Sequence, residues 1–498
     1  MNERRNTHAG RLVALIAICF SMTALVVVST YSSVEFASDS SADSSAGTSA
    51  EPSAADAPDP QRGLDFILHG DYVGSGYPTE VFLRLNIGAS APRQPYDRAG
   101  VDPRIPIAYN AFTARNGVEV VGGFGCLACH ASMFRGELVM GMGNSLNDWA
   151  STRGVPAESL NAMVGARFGE DSDEYAIYRQ FMRGVEILYP HVAAPFKGVN
   201  PAFRIEEIAA SHRHPDTLAW SDEPLYDTLP ASIASDVPPW WHVQKKSRLY
   251  YNGMGRGSFA KLMAQINVVG IQDNADAART VDAMDDVIAY MKSLTPPTYP
   301  GDINDHLAAR GERVFVANCS ECHGTYGPIE SYPNRLVPVE EVGTDPTYAD
   351  MHIASGLAGW YNRSWYATTE PTSSVTPKRA YIAPPLDGIW CTAPYFHNGS
   401  VPTLDTVINS TRRPTFWSRS FDDADYDLQR LGWTHEVLDD PDAPDAPDRP
   451  DAPANTRRPS RIDIYDTTIT GYGNMGHTFG DDLSDDDRAA LLEYLKTL

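Results

Sequence analysis

Cys126-Leu127-Ala128-Cys129-His130 and Cys319-Ser320-Glu321-Cys322-His323 repeat one spacing: two thiols two residues apart, with an imidazole next in line. That order suits a covalently held haem c. The thiols add to two vinyl groups as thioethers, and the adjacent histidine lies under the iron as its axial ligand. Four thiols could instead bind one structural zinc, but a zinc site has no need of histidine directly after each pair. The pattern therefore predicts two haem c groups, held by Cys126, Cys129, Cys319 and Cys322, with His130 and His323 on the irons.

The second axial position decides what each haem does. A strong sixth ligand makes an electron carrier, whereas an open position admits dioxygen or peroxide. After His130 no histidine occurs until His191. Met133, Met140, Met142, Met163 and Met182 stand in that interval, as ligands or as core filler. The run Gly136–Asn144 is glycine-rich enough to approach a haem face closely. After His323 the choices are His352, His397 and His477. His477 is favoured as the iron ligand, because it sits in the glycine-rich loop Gly473–Gly480 just ahead of the terminal helical stretch. A c-type domain brings its second axial residue back from that side. His397 fits better as a residue holding a propionate or a loop. Trp240 and Trp241, after Pro238-Pro239, are core anchors or, between two haems, an electron relay. Lys245, Lys246 and Arg256 follow as possible propionate partners. Cys391 stands alone as a buried free thiol.

These residues need helices to hold them. Residues 275–294 carry Val281, Met284, Val287, Ile288 and Met291 on one face, with Asp282, Asp285 and Asp286 off it, and Pro296-Pro297 end the helix. Residues 303–318 predict a helix running into Cys319. Ser484, followed by three aspartates, caps a closing helix with Leu491, Leu492 and Leu495 inward. A helix before the motif and one closing the unit is the plan of a cytochrome c domain. The expected fold is mainly α: two cytochrome c-like domains, 63–300 and 301–498, with long irregular loops. Residues 31–62 read as a disordered Ser/Ala/Asp/Pro linker, and 439–455 as a disordered acidic Pro-rich insert.

The chain has 498 residues, enough for two or three cores, and a net charge of −24. Such acidity argues against nucleic acid and anionic membrane surfaces as partners. Arg4, Arg5 and Arg11 precede the apolar run 12–28, so residues 1–30 read as a cleaved signal peptide or an uncleaved membrane helix. Covalent haem c is attached outside the bacterial inner membrane. The expected location is therefore periplasmic or extracellular, with membrane association only through the N-terminal segment.

The segment Thr392-Ala393-Pro394-Tyr395-Phe396-His397-Asn398-Gly399 resembles the di-haem cytochrome c peroxidase superfamily. Its continuation to Leu404 is more similar to the rubber oxygenase (RoxA)-like branch. So are Cys126–Ala131 with Phe134–Leu138, the Pro238–Trp241 run, Val342–Pro346 and Gly476–Gly480. The likeness spans roughly residues 63–498. It implies an N-terminal haem that binds dioxygen at an open site over His130, and a second haem held by His323 and His477. It also implies an inter-haem tryptophan, with Trp240, Trp241 and the Tyr250-Tyr251 pair as the choices. In the peroxidases an extra histidine must leave before peroxide binds, and none lies shortly after His130. The expected function is an exported di-haem c-type oxidoreductase activating dioxygen or peroxide at the first haem. The second would store or relay electrons, and the specific form is oxidative cleavage of an apolar alkene. A di-haem peroxidase and a non-catalytic electron-transfer cytochrome are the alternatives. The partner is an electron donor or acceptor protein, or a small apolar substrate.

Overall fold

The structure, a computed structural model, describes residues 57–88, 98–123, 125–151, 156–230, 233–442 and 459–498. The apolar run 12–28, most of the linker 31–62 and most of the insert 439–455 lie outside the described residues.

Two helix crossings are built on the same device. In the first, Pro60–His69 lies against Asn274–Ser293. The opening helix starts inside the stretch read as linker. Asp59 caps it by accepting from the Gln61 and Arg62 amides at 2.7 and 3.0 Å, and Pro60 suits the first helical position. The partner helix lies one residue from its expected span and buries Met284, Val287, Ile288 and Met291. Asp286, off that stripe, ties the two together: it accepts from the Asp59 amide at 2.6 Å and from Arg62 Nε at 2.8 Å. Gly63 makes the approach possible, since a Cβ there would stand 2.0 Å from the Asp286 carbonyl oxygen.

The second crossing pairs Asp305–Asn318 with Asp485–Leu495, capped by the Asn304 and Ser484 side chains. Leu491 and Leu495 are buried, and Leu492 packs half-buried beside them. Here Gly311 gives the close approach: a Cβ would meet the Ala490 carbonyl oxygen at 1.9 Å. Arg310 pairs with Asp487 at 2.8 Å along the same seam. Both crossings belong to one compact unit, Ala57–Leu498.

The class is mixed α and β, not mainly α, with helices outweighing strands. Strands of two to four residues staple the loops, as in the sheet ordered Tyr77–Pro78, Glu119–Gly122, Asn110–Thr113. Segments so short show no alternation that a sequence pattern can register. Among the described residues no helix is long and apolar enough to cross a membrane.

Gly63→Ala and Gly311→Ala are each expected to cost about 1–3 kcal/mol or more, as overpacking of a close contact does. Gly359→Ala, whose Cβ would meet only Arg363 Nη1 at 3.5 Å, should cost nothing. Guanidinium chloride unfolding checks this, and equal midpoints for all three variants would contradict it.

Candidate functional site: two thiol pairs on one cavity

The first motif is held by backbone. Cys126–Ala128 forms one turn of 3-10 helix, the Gly125 amide donates to the Ala108 carbonyl at 3.1 Å, and the His130 amide donates to Cys126 at 3.0 Å. A hairpin, Ala131–Phe134 with Glu137–Met140, follows at once. Its turn uses Arg135 and Gly136, both at positive φ, a geometry suited to two-residue hairpin loops. On leaving the hairpin the chain folds back over the motif. The Gly141 amide donates to the His130 carbonyl at 2.8 Å, and the Asn144 amide to Cys129 at 2.7 Å. Gly141 also accepts from the Trp240 amide at 2.8 Å. Trp240 then stacks on the His130 ring at 5.1 Å, with the planes 25° apart.

The second motif hangs from the helix Asp305–Asn318, with the short helix Ser320–His323 turning it inward. His323 Nδ1 lies 2.9 Å from the Pro384 carbonyl. A carbonyl only accepts, so Nδ1 carries the proton and Nε2 keeps its lone pair, the arrangement of a metal-ligating histidine. The His477 ring faces His323, centroid to centroid 6.3 Å at 64°. Two imidazoles sharing one metal, with bonds of about 2 Å each, stand about 6 Å apart by the same measure. His352 is elsewhere, packed on Phe203 and Tyr348 with its Nδ1 on the Tyr348 carbonyl at 2.7 Å. His397 stacks on Tyr381 at 4.2 Å.

Both motifs open onto one cavity of about 1640 Å³. Cys126, Cys129, His130, Cys319, Cys322, His323 and His477 all line it, among mainly apolar side chains. Drug-sized ligands occupy about 300–1,000 Å³, so this space exceeds a single small-molecule pocket. Burial pushes the thiols up, Cys126 and Cys319 to about 11 and Cys129 to about 12. Burial likewise pulls His130 down to about 4 and His477 to about 3, and lowers His323. Neutral imidazoles with free lone pairs are what an iron requires. His477 Nδ1 is buried without a hydrogen-bond partner among the described residues, and the His130 ring faces the Pro238 backbone carbonyl. The thiols, the neutral histidines and the apolar walls together fit covalently held haem. Among the described residues no three His, Cys, Asp or Glu side chains group closely enough to hold one ion.

The remaining residues singled out in the sequence divide by position. Met133 and Met182 line the cavity, Met140 and Met142 sit in the core, and Met163 is exposed. Trp240 and Trp241 are consecutive but belong to different cores, Trp240 around the first motif and Trp241 around the second. Trp241 Nε1 donates to the Asp387 carbonyl at 2.8 Å. Tyr250 and Tyr251 line the cavity, and Tyr251 donates to Asp236 at 2.8 Å. Of the three basic residues only Lys246 reaches the cavity. Lys245 pairs with Asp387 and Glu330, and Arg256 is exposed. Cys391 is buried, with its thiol on the Gly388 carbonyl at 3.1 Å.

Three residues were not visible beforehand. Glu206 and Asp236 line the cavity, and burial raises their carboxyls to about 8 and about 7. Nothing in Arg-Ile-Glu-Glu-Ile, within the helix Ala202–Ser211, or in the loop sequence Ser-Asp-Val marks them, since charged residues in short helices and loops usually face water. Arg413, in Thr-Arg-Arg-Pro, ranks with them; it is half-buried under the His477 loop and was indistinguishable from the exposed Arg412 next to it.

Residues 380–418 match the RoxA-like, cytochrome c-like family model. That window holds Pro384, the acceptor for His323, as well as His397 and Arg413. The chain is 27% identical over 292 residues to the uncharacterized protein y4iM of Sinorhizobium fredii, covering 53% of this chain and 62% of the relative. It is 28% identical over 271 residues to the uncharacterized protein y4iJ of the same organism, covering 41% of each. The chain thus spans less than two thirds of either relative. The family match, on a segment that packs against the second motif, supports a RoxA-like haem protein, with a cytochrome c-like domain suited to haem-based redox chemistry.

Proposed function

We propose that the chain is an exported di-haem c-type oxidoreductase that activates dioxygen or peroxide at its first haem. The observation that carries this reading is the asymmetry between the motifs on one cavity. His323 has a second histidine facing it at 6.3 Å, whereas no histidine faces His130 in the same way among the described residues. A haem bound there would supply one-electron redox chemistry and binding of a small oxidant.

The protein's own groups divide the remaining work. Cys126, Cys129 and His130 would hold the reactive group, and Cys319, Cys322, His323 and His477 would hold the electron-storing one. Trp240, stacked on His130, and its neighbour Trp241, in the core of the second motif, form a two-residue covalent link between the two sides. Lys246 offers the cavity a cation for a carboxylate, with Asp236 and Tyr251 beside it. Glu206, neutral at pH 7 by burial, holds a proton that it can donate inside the cavity. The apolar walls exclude water and suit an apolar substrate, which favours oxidative cleavage of an alkene as the specific reaction. Electrons come from or go to a protein partner, in the periplasm or outside the cell, and an electron-transfer cytochrome without catalysis is the competing reading.

Absorption and electron paramagnetic resonance spectra of the full-length protein, with and without cyanide or carbon monoxide, decide between them. One high-spin, ligand-binding haem and one low-spin, inert haem are expected. Two inert low-spin signals would make the protein an electron carrier. His477→Ala should turn the low-spin signal high-spin, and an unchanged spectrum would overturn His477 as the ligand. Replacing Cys126 and Cys129 with serine should remove the ligand-binding signal and leave the inert one; loss of the inert signal would reverse the assignment.

Glu206 gives a test in pH. Its carboxyl rises from the ordinary 4.5 to about 8 through burial, so the folded chain holds this proton more tightly than the unfolded one. Stability should therefore fall as pH rises from about 4.5 to about 8, by up to about 1.4 kcal/mol per pH unit, and then level off. Glu206→Gln should lack that fall. Denaturant midpoints from pH 5 to 9 check it, and parallel profiles for the two proteins would contradict it.

A further inference from the structure

His323 and His477 face each other, but they are held by different means. The His323 ring is fixed through Nδ1 on the Pro384 carbonyl. His477 Nδ1 has no such partner among the described residues. Its ring direction is therefore set through its backbone, and that backbone is unusual. His477 has φ 45° and Gly476 φ 75°, a left-handed pair that is uncommon for side-chain-bearing residues, though histidine tolerates it better than most.

One side chain supplies most of the hold on that backbone. Arg413 donates from Nη1 to the Asn474 and Gly476 carbonyls at 2.8 and 2.5 Å, and from Nη2 to the His477 carbonyl at 3.0 Å. Its other hydrogen bonds run to Thr406 at 2.9 Å from Nε and to Val407 at 2.9 Å from Nη2. Five carbonyls are thus gathered by one planar fork, three on the His477 loop and two on the short helix Leu404–Val407. The guanidinium also covers the Phe396 ring at 4.9 Å, and that ring stands 5.9 Å from His477. Asp481 acts on the Arg413 charge through space, while all five hydrogen bonds of the guanidinium go to carbonyls. From the opposite side the His477 amide donates to Val342 at 2.6 Å, and Gly476 presses on Gly343, where a Cβ would meet the Gly343 carbonyl carbon at 2.1 Å.

We propose that Arg413 is the positioning residue of the second site, holding the His477 loop so that its imidazole stays opposite His323. This rests on the reading of His477 as an axial ligand. Five donors in a rigid plane are needed to reach five carbonyls, which lysine with three mobile donors cannot reproduce.

The test uses the full-length, haem-loaded protein and three variants, Arg413→Gln, Arg413→Lys and His477→Ala, read by the low-spin electron paramagnetic resonance signal with and without added imidazole. His477→Ala should lose the low-spin signal, and imidazole should restore it. Arg413→Gln should show the same loss and the same rescue, and Arg413→Lys a partial loss. A purely structural role for Arg413 would lower the unfolding midpoint and leave the low-spin signal intact, which overturns the proposal while His477 stands as ligand. If Arg413→Gln does not fold, Arg413→Lys decides: an unaltered signal that ignores imidazole overturns the proposal. An unchanged spectrum in His477→Ala overturns the ligand reading and the proposal together.

Discussion

The structure is arranged around one cavity of about 1640 Å³ lined mainly by apolar side chains. The thiols of Cys126, Cys129, Cys319 and Cys322 stand on its walls and give a covalent means of holding a large group there. The glycine crossings at Gly63 and Gly311 bring the helices beside the two motifs into close contact and frame it.

Within that frame, backbone carbonyls do most of the positioning. The Pro384 carbonyl accepts a hydrogen bond from His323 Nδ1, and Arg413 donates to five carbonyls. Carbonyls carry no charge to titrate, so the geometry they fix is insensitive to pH. Three titratable groups on the cavity lining, Glu206, Asp236 and Lys246, are pushed toward their neutral forms by burial. Asp148, Glu186 and Arg335 on the same lining are instead shifted toward their charged forms, so charge and apolar surface are divided within one cavity.

The two Cys-x-x-Cys-His motifs were legible in the sequence from their spacing alone, and the structure brings both to one cavity. The helices 275–294, 303–318 and the one capped by Ser484 were legible because they are amphipathic and bounded by caps and prolines. The short strands were not, since two to four residues carry no period. Asp286 shows a subtler limit: it lies off the apolar stripe, as the pattern says, yet it anchors the opening helix through Asp59 and Arg62. Arg413 is the clearest case. Its neighbour Arg412 is exposed and of the same type, and only the three-dimensional return of residues 474–477 distinguishes the two.

The central claim is that two covalently bound haems share this cavity. The direct measurement is the haem c content of the purified, acid-denatured full-length chain, taken as the pyridine haemochrome per mole of protein together with the intact mass. Two haems per chain, resistant to acid extraction, are predicted. One haem, or none, would contradict it.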